Sequence, residues 1–196
     1  MSANNSGAIR FASNGTIWVA PVDTAAPTDV ATAPSDTWKA LGYVDTNGVE
    51  LTPSIETQPV EAWQSGVPIK YLVTSAAFQL KFTLHQFDKE SVELYFGSSF
   101  RQATGAGGTP VTGVFQLDLS STPALAETAM IVEWKDATVT NRLIVPRASV
   151  SARDGLKLVR NDNNKLGVTL NALDSGGRLG YILTNATIEL PTPPTP

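Results

Sequence analysis

From Phe78 the chain alternates without a break: Phe78, Leu80, Phe82 and Leu84 are apolar, and Gln79, Lys81, Thr83 and His85 between them are polar. A period of two marks a strand with one face in a core and the other in polar surroundings. With the apolar residues upstream, a strand is expected over 69–86, the strongest β signal in the chain. The spacing then turns helical. Asp88 is an N-cap residue, Phe87 can staple onto Val92, and Val92, Tyr95 and Phe96 form a stripe that Gly97 closes at the C′ position. A helix of about two turns is unstable alone, so it must pack on the sheet.

Elsewhere the pattern is strand after strand. Residues 8–11 and 16–21 read as short strands joined by a tight turn at Ser13-Asn14-Gly15, and 38–46 and 49–57 as a second pair joined at Asn47-Gly48. Pro53 marks an edge or a break, because it has no N–H for a ladder. Residues 22–37 and 58–68 read as extended loops, the first with no core to bury, and 98–110 as a Gly-rich loop. Strands are expected at 114–119, 129–134, 138–145, 148–152, 156–159, 166–173 and 179–190, with a turn at Asp154-Gly155 and a break at 174–177. The sum is a mainly β fold, a β-sandwich or partly closed barrel with one short flanking helix. Residues 1–190 read as one domain, and 191–196 as an extended Pro-rich tail.

Composition narrows the function classes. The chain has 196 residues, no cysteine, one histidine and a net charge of −4. No disulfide framework or thiolate metal site is available. The first residues hold no apolar stretch and no apolar run approaches a bilayer's span, so synthesis in a cytoplasm and no membrane partner are expected. Up to residue 140 there are 7 basic and 14 acidic side chains, and from 141 on 7 and 4. Such asymmetry suits head-to-tail association of copies.

Candidate chemistry is sparse. His85 sits on the polar parity of its strand and reads as a surface or interface residue. Gly105 to Gly108 lacks the Lys-Ser/Thr of a phosphate loop, and Asp162-Asn-Asn164 lacks the downstream Glu of a calcium loop. No nucleophile–base pair, metal set or cofactor site emerges, and no enzyme is expected. Arg142, Arg147, Arg153, Lys157, Arg160 and Lys165 form a basic stretch without an aromatic residue inside it. Stacking on single-stranded nucleic acid needs aromatics, so a basic inter-subunit surface is the better reading.

Three segments carry a resemblance: Gly15-Thr-Ile-Trp-Val-Ala-Pro21, Leu41-Gly-Tyr-Val-Asp-Thr-Asn-Gly-Val-Glu-Leu-Thr-Pro53 with Ala62-Trp-Gln64, and Phe78 to Phe87 running into Asp88-Lys-Glu-Ser-Val-Glu-Leu-Tyr-Phe-Gly97. In that order they resemble the major tail proteins, or tail tube proteins, of bacteriophages with long non-contractile tails. The resemblance implies a structural subunit of the virion tail, assembled in the host cytoplasm. Hexameric rings of it would stack into a tube whose lumen passes double-stranded DNA. It also implies contacts with a tape-measure protein and with tail terminator and baseplate proteins. Gln79, Lys81, Thr83 and His85 are the candidate lumen-facing residues, although Lys81 suits an acidic channel wall poorly. The alternative is another virion structural protein, a capsid decoration or tail-completion (terminator) protein.

Overall fold

The computed structural model describes residue 4 and residues 8–122 and 125–188. Ten strands and one α-helix follow one another: β1 (Asn14–Pro21), β2 (Lys39–Ala40), β3 (Val44–Val60), β4 (Lys70–Leu84), α1 (Lys89–Phe96), β5 (Phe100–Thr104), β6 (Pro110–Leu117), β7 (Glu127–Asp136), β8 (Val139–Arg153), β9 (Leu166–Ala172) and β10 (Tyr181–Thr184). The main sheet runs β2-β1-β7-β8-β9-β4-β3, with β10 also paired to β8, and β5-β6 form a separate ribbon. The described sheets do not close into a barrel, and the fold is β-sandwich-like.

β8 makes two layers from one sheet. Its first half pairs with β7 and β10, and its second half with β9. Two irregularities bend it between those duties. Pro146 and Arg147 together oppose Ala129 of β7, and Ser151 is an extra residue opposite the Leu170–Thr169 step of β9. Bulges increase twist and tolerate a proline, which explains how Pro146 lies inside a long strand. The core lies between the layers. Ile17, Met130, Val132 and Val145 meet Leu80, Phe82, Leu84, Leu166, Val168 and Leu170. α1 caps this core with Val92 and Tyr95. Asp88 accepts from the Ser91 N–H at 2.9 Å, and Gly97 closes the helix in the left-handed conformation at φ 70°. Phe87 stays more than half exposed.

Several expectations from the sequence change. Asn14 and Gly15 do not turn a hairpin; they begin β1 and pair with Lys135 and Trp134, and residues 9–13 form no strand. The Asn47-Gly48 turn lies inside β3, where five steps from Val44 to Val49 oppose two on β4. The Asp45 carboxylate accepts from the Asn47 N–H at 3.0 Å and Gly48 takes φ 67°, so the local turn chemistry holds but builds a bulge. Residues 58–60 belong to β3, so only 61–69 loop out. The loop expected at 98–110 contains β5, residues 156–159 form no strand, 138–145 and 148–152 fuse into β8, and among the described residues after 178 strand structure is confined to Tyr181–Thr184. The Pro-rich tail at 191–196 lies outside the described residues.

The 22–37 segment does have a core to bury. It leads into Trp38, which is buried with Ala20, Ala129, Ile131 and Ile144 on the outer face of β1, β7 and β8. The indole Nε1 donates to Ala25 O at 3.1 Å. Arg142 fixes the middle of the segment. Its Nη1 donates to Asp29 O at 2.6 Å and to Thr32 O at 2.8 Å, while Nη2 and Nε donate to the Glu133 carboxylate at 2.5 and 3.0 Å.

Candidate functional site

The most distinctive surface is the far half of the β3–β4 hairpin. Opposed residues share a face, so the pairs Val49–Phe82, Leu51–Leu80 and Pro53–Phe78 mark the core side of this ribbon. The ribbon then leaves the body, and the same face continues through Ile55–Ala76, Thr57–Val73 and Pro59–Tyr71. Ile55, Val73 and Tyr71 are 67%, 59% and 62% exposed. The opposite face carries Ser54, Glu56, Gln58, Ser75 and Lys70, with Leu72 and Val60 as its large apolar members. The hairpin is therefore more apolar on one face than on the other, and the apolar face has no cover among the described residues. Isolated two-stranded hairpins are marginal in water, and large exposed apolar patches are the usual mark of contact surfaces.

One residue sets that amphipathy. Thr74 is extra in the ladder, between Glu56–Ser75 and Thr57–Val73, and its hydroxyl donates to Glu56 O at 3.2 Å. The insertion shifts β4 by one position, placing Val73 and Tyr71 on the core-side face in place of Thr74 and Leu72. The strict alternation visible from Phe78 does not reveal this phase change. At the tip, Trp63 is 98% exposed.

Gln79, Lys81 and Thr83 share one face of β4, turned away from the core, and His85 follows one residue past the strand's end. Asn171 and Thr169 of β9 lie opposite Gln79 and Lys81 on one side, and Thr52 and Glu50 of β3 on the other. The face is an uncharged polar surface apart from the Glu50–Lys81 register pair and the end of the strand. There His85 Nε2 lies 2.9 Å from the Asp45 carboxylate. The Asn47 N–H foremost, and then His85, hold the Asp45 carboxyl below the usual carboxylate range.

The basic stretch is dispersed. Arg142 is 2% exposed and serves its own 22–37 segment, so it is not part of a surface for a neighbour. Its sequence context hid this, because Glu133 is brought opposite it only by the β7–β8 pairing. Arg147 grips the Glu127 carboxylate through Nε at 2.5 Å and Nη2 at 2.8 Å. Arg153 Nε donates to Tyr95 O, and Lys165 lies 3.0 Å from the Asp162 carboxylate. Lys157 and Arg160 are exposed on the loop joining β8 to β9. Among the described residues, no group of His, Asp and Glu is placed to hold a metal ion, and no helix is long and apolar enough to cross a membrane.

Comparison with known proteins gives one family. The family model described as phage tail tube protein matches residues 1–191. No curated protein matches the chain.

Proposed function

The chain belongs to the phage tail tube protein family, a structural component of the virion tail, and from that premise we propose that its copies form hexameric rings stacked into a tube that conducts the viral genome. The amphipathic β3–β4 hairpin carries the proposal. Covering Ile55, Val73 and Tyr71 needs an apolar surface that the described residues of the subunit do not offer, and in this reading a neighbouring copy supplies it. The outer edge of β3 supports the same reading. It is the last strand of its sheet, and its unpaired backbone groups suit a strand from the next subunit.

In this reading the face bearing Gln79, Lys81, Thr83 and His85 lines the lumen. A wall of short polar side chains gives DNA little to adhere to, and Glu50 opposite Lys81 offsets the one cation directed at phosphates. Lys157, Arg160 and the outer part of the Arg153 and Lys165 region remain the basic contact toward an acidic neighbour. The tape-measure protein would occupy the lumen before DNA does, and terminator and baseplate proteins would cap the ends.

Negative-stain micrographs of the concentrated protein test this. Rings of six and stacked tubes are expected. A discrete trimer, or one ring that never stacks, would favour a decoration or terminator protein, and monomers under every assembly condition would contradict the proposal.

A further inference from the structure

We propose that the hairpin tip of one copy seats in an open cleft between β1 and β3 of a second copy, with Trp63 as its anchor. The inference rests on the tube reading above and names the surface that receives the hairpin.

The cleft, of about 750 Å³, is where the sheet fails to close. Ile17, Val49, Leu51 and Trp134 give it an apolar floor, and Asp45 and Gln86 stand on its rim. Both walls are strand edges. β2 pairs only with Trp18 and Val19 of β1, which leaves the Asn14–Thr16 edge without a strand beside it among the described residues. On the other side runs the outer edge of β3. An apolar floor between two open backbone edges accepts an aromatic side chain and the extended chain that carries it.

The tip has the complementary character. Trp63 is 98% exposed, and Val67 and Ile69 beside it are 69% and 62% exposed. Buried Trp side chains are the commonest energetic anchors of interfaces, and a fully exposed one at the end of a long ribbon is placed for that role. The tip of a given copy does not reach its own cleft. β3 leaves the cleft at Leu51 and stays paired with β4 to Val60, a separation of roughly 30 Å at about 3.3 Å per residue. The occupant therefore comes from another molecule, and repetition of the contact gives a heterologous, propagating assembly.

The chain has no cysteine, which makes the test clean. Thr46→Cys places a thiol on the cleft rim and Gln64→Cys one beside Trp63; both positions are exposed. Tubes assembled from an equal mixture of the two variants are treated with a short bis-maleimide. Covalent dimers are expected from the mixture and not from the unassembled mixture. Tubes that yield no dimers overturn the docking site while leaving the tube reading intact; the cleft then belongs to another segment, such as residues 8–13. A wild-type protein that forms no tubes overturns both. As a second measurement, Trp63→Ala should leave the thermal midpoint of the monomer unchanged and raise the concentration needed for tubes by about tenfold or more. Tubes forming at the wild-type concentration would overturn the anchor.

Discussion

Arg142 shows how a single side chain can organise a segment distant in sequence. It is 2% exposed, paired with Glu133, and bonded to carbonyls at Asp29 and Thr32. Removing one member of a buried pair leaves the other charge and several carbonyls without their donor. Arg142→Ala is therefore expected to lower unfolding stability by about 3 kcal/mol or more, measured by urea titration. A loss below about 1 kcal/mol would show that the 22–37 segment is not held this way. Asp29 gives that segment a pH dependence. The Thr32 N–H, then the Thr32 hydroxyl and the Ala31 N–H, hold its carboxyl below the ordinary value of 3.8. A depressed carboxylate stabilises fully above its unfolded value and ceases to do so as pH falls through the lower folded value. Protection of residues 25–37 against hydrogen exchange, taken relative to the intrinsic rate at each pH, should thus fall on acidification below about pH 4, and Asp29→Asn should already show the lower protection at neutral pH. Neither residue's role was legible in the sequence. Asp29 lies in a stretch of Ala, Thr and Pro, and Arg142 among five other cations, and only the packing of the segment on β7 and β8 gives them partners.

At the scale of elements, the sequence disclosed what is local. The alternation from Phe78 to His85 gave β4 and its two faces, and Asp88 with Gly97 gave both ends of α1. It misled where a local turn signal sits inside a longer ladder. Asn47-Gly48 and Asp154-Gly155 have the right residues for hairpins, yet one builds a bulge and the other begins a loop of about a dozen residues between β8 and β9. Pro53, read as an edge or a break, lies in the edge strand β3, and Pro146 lies in a bulge within β8. The two halves of β4 should respond differently to substitution. Leu80 is fully buried, and Leu80→Ala is expected to cost about 3 kcal/mol. Val73→Ser, on the projecting half, should leave monomer stability within about 0.5 kcal/mol and abolish tubes. Deleting Thr74 should act in the opposite sense. It removes the extra residue, so Val73 stays opposite Thr57 and Tyr71 opposite Pro59, and tubes should still form. A deletion variant whose monomer folds but no longer assembles would refute the phase argument.

For the whole molecule, the fold class and the family were legible because they depend on the order of strands and one helix, which sequence patterns carry well. The assembly surface was not. Residues 58–68 read as a loop, since Pro59, Gly66 and Pro68 obscure the last residues of β3 and its turn into β4. What remains is a subunit with a closed core at one end and an uncovered amphipathic ribbon at the other, an arrangement that makes sense only in the company of further copies. Amide hydrogen exchange of residues 52–60 and 70–77, compared between monomer and assembled tube, tests that claim most directly. The account predicts fast exchange in the monomer and strong protection in the tube, concentrated on this ribbon. Equal exchange in the two states, with protection gained elsewhere, would contradict it.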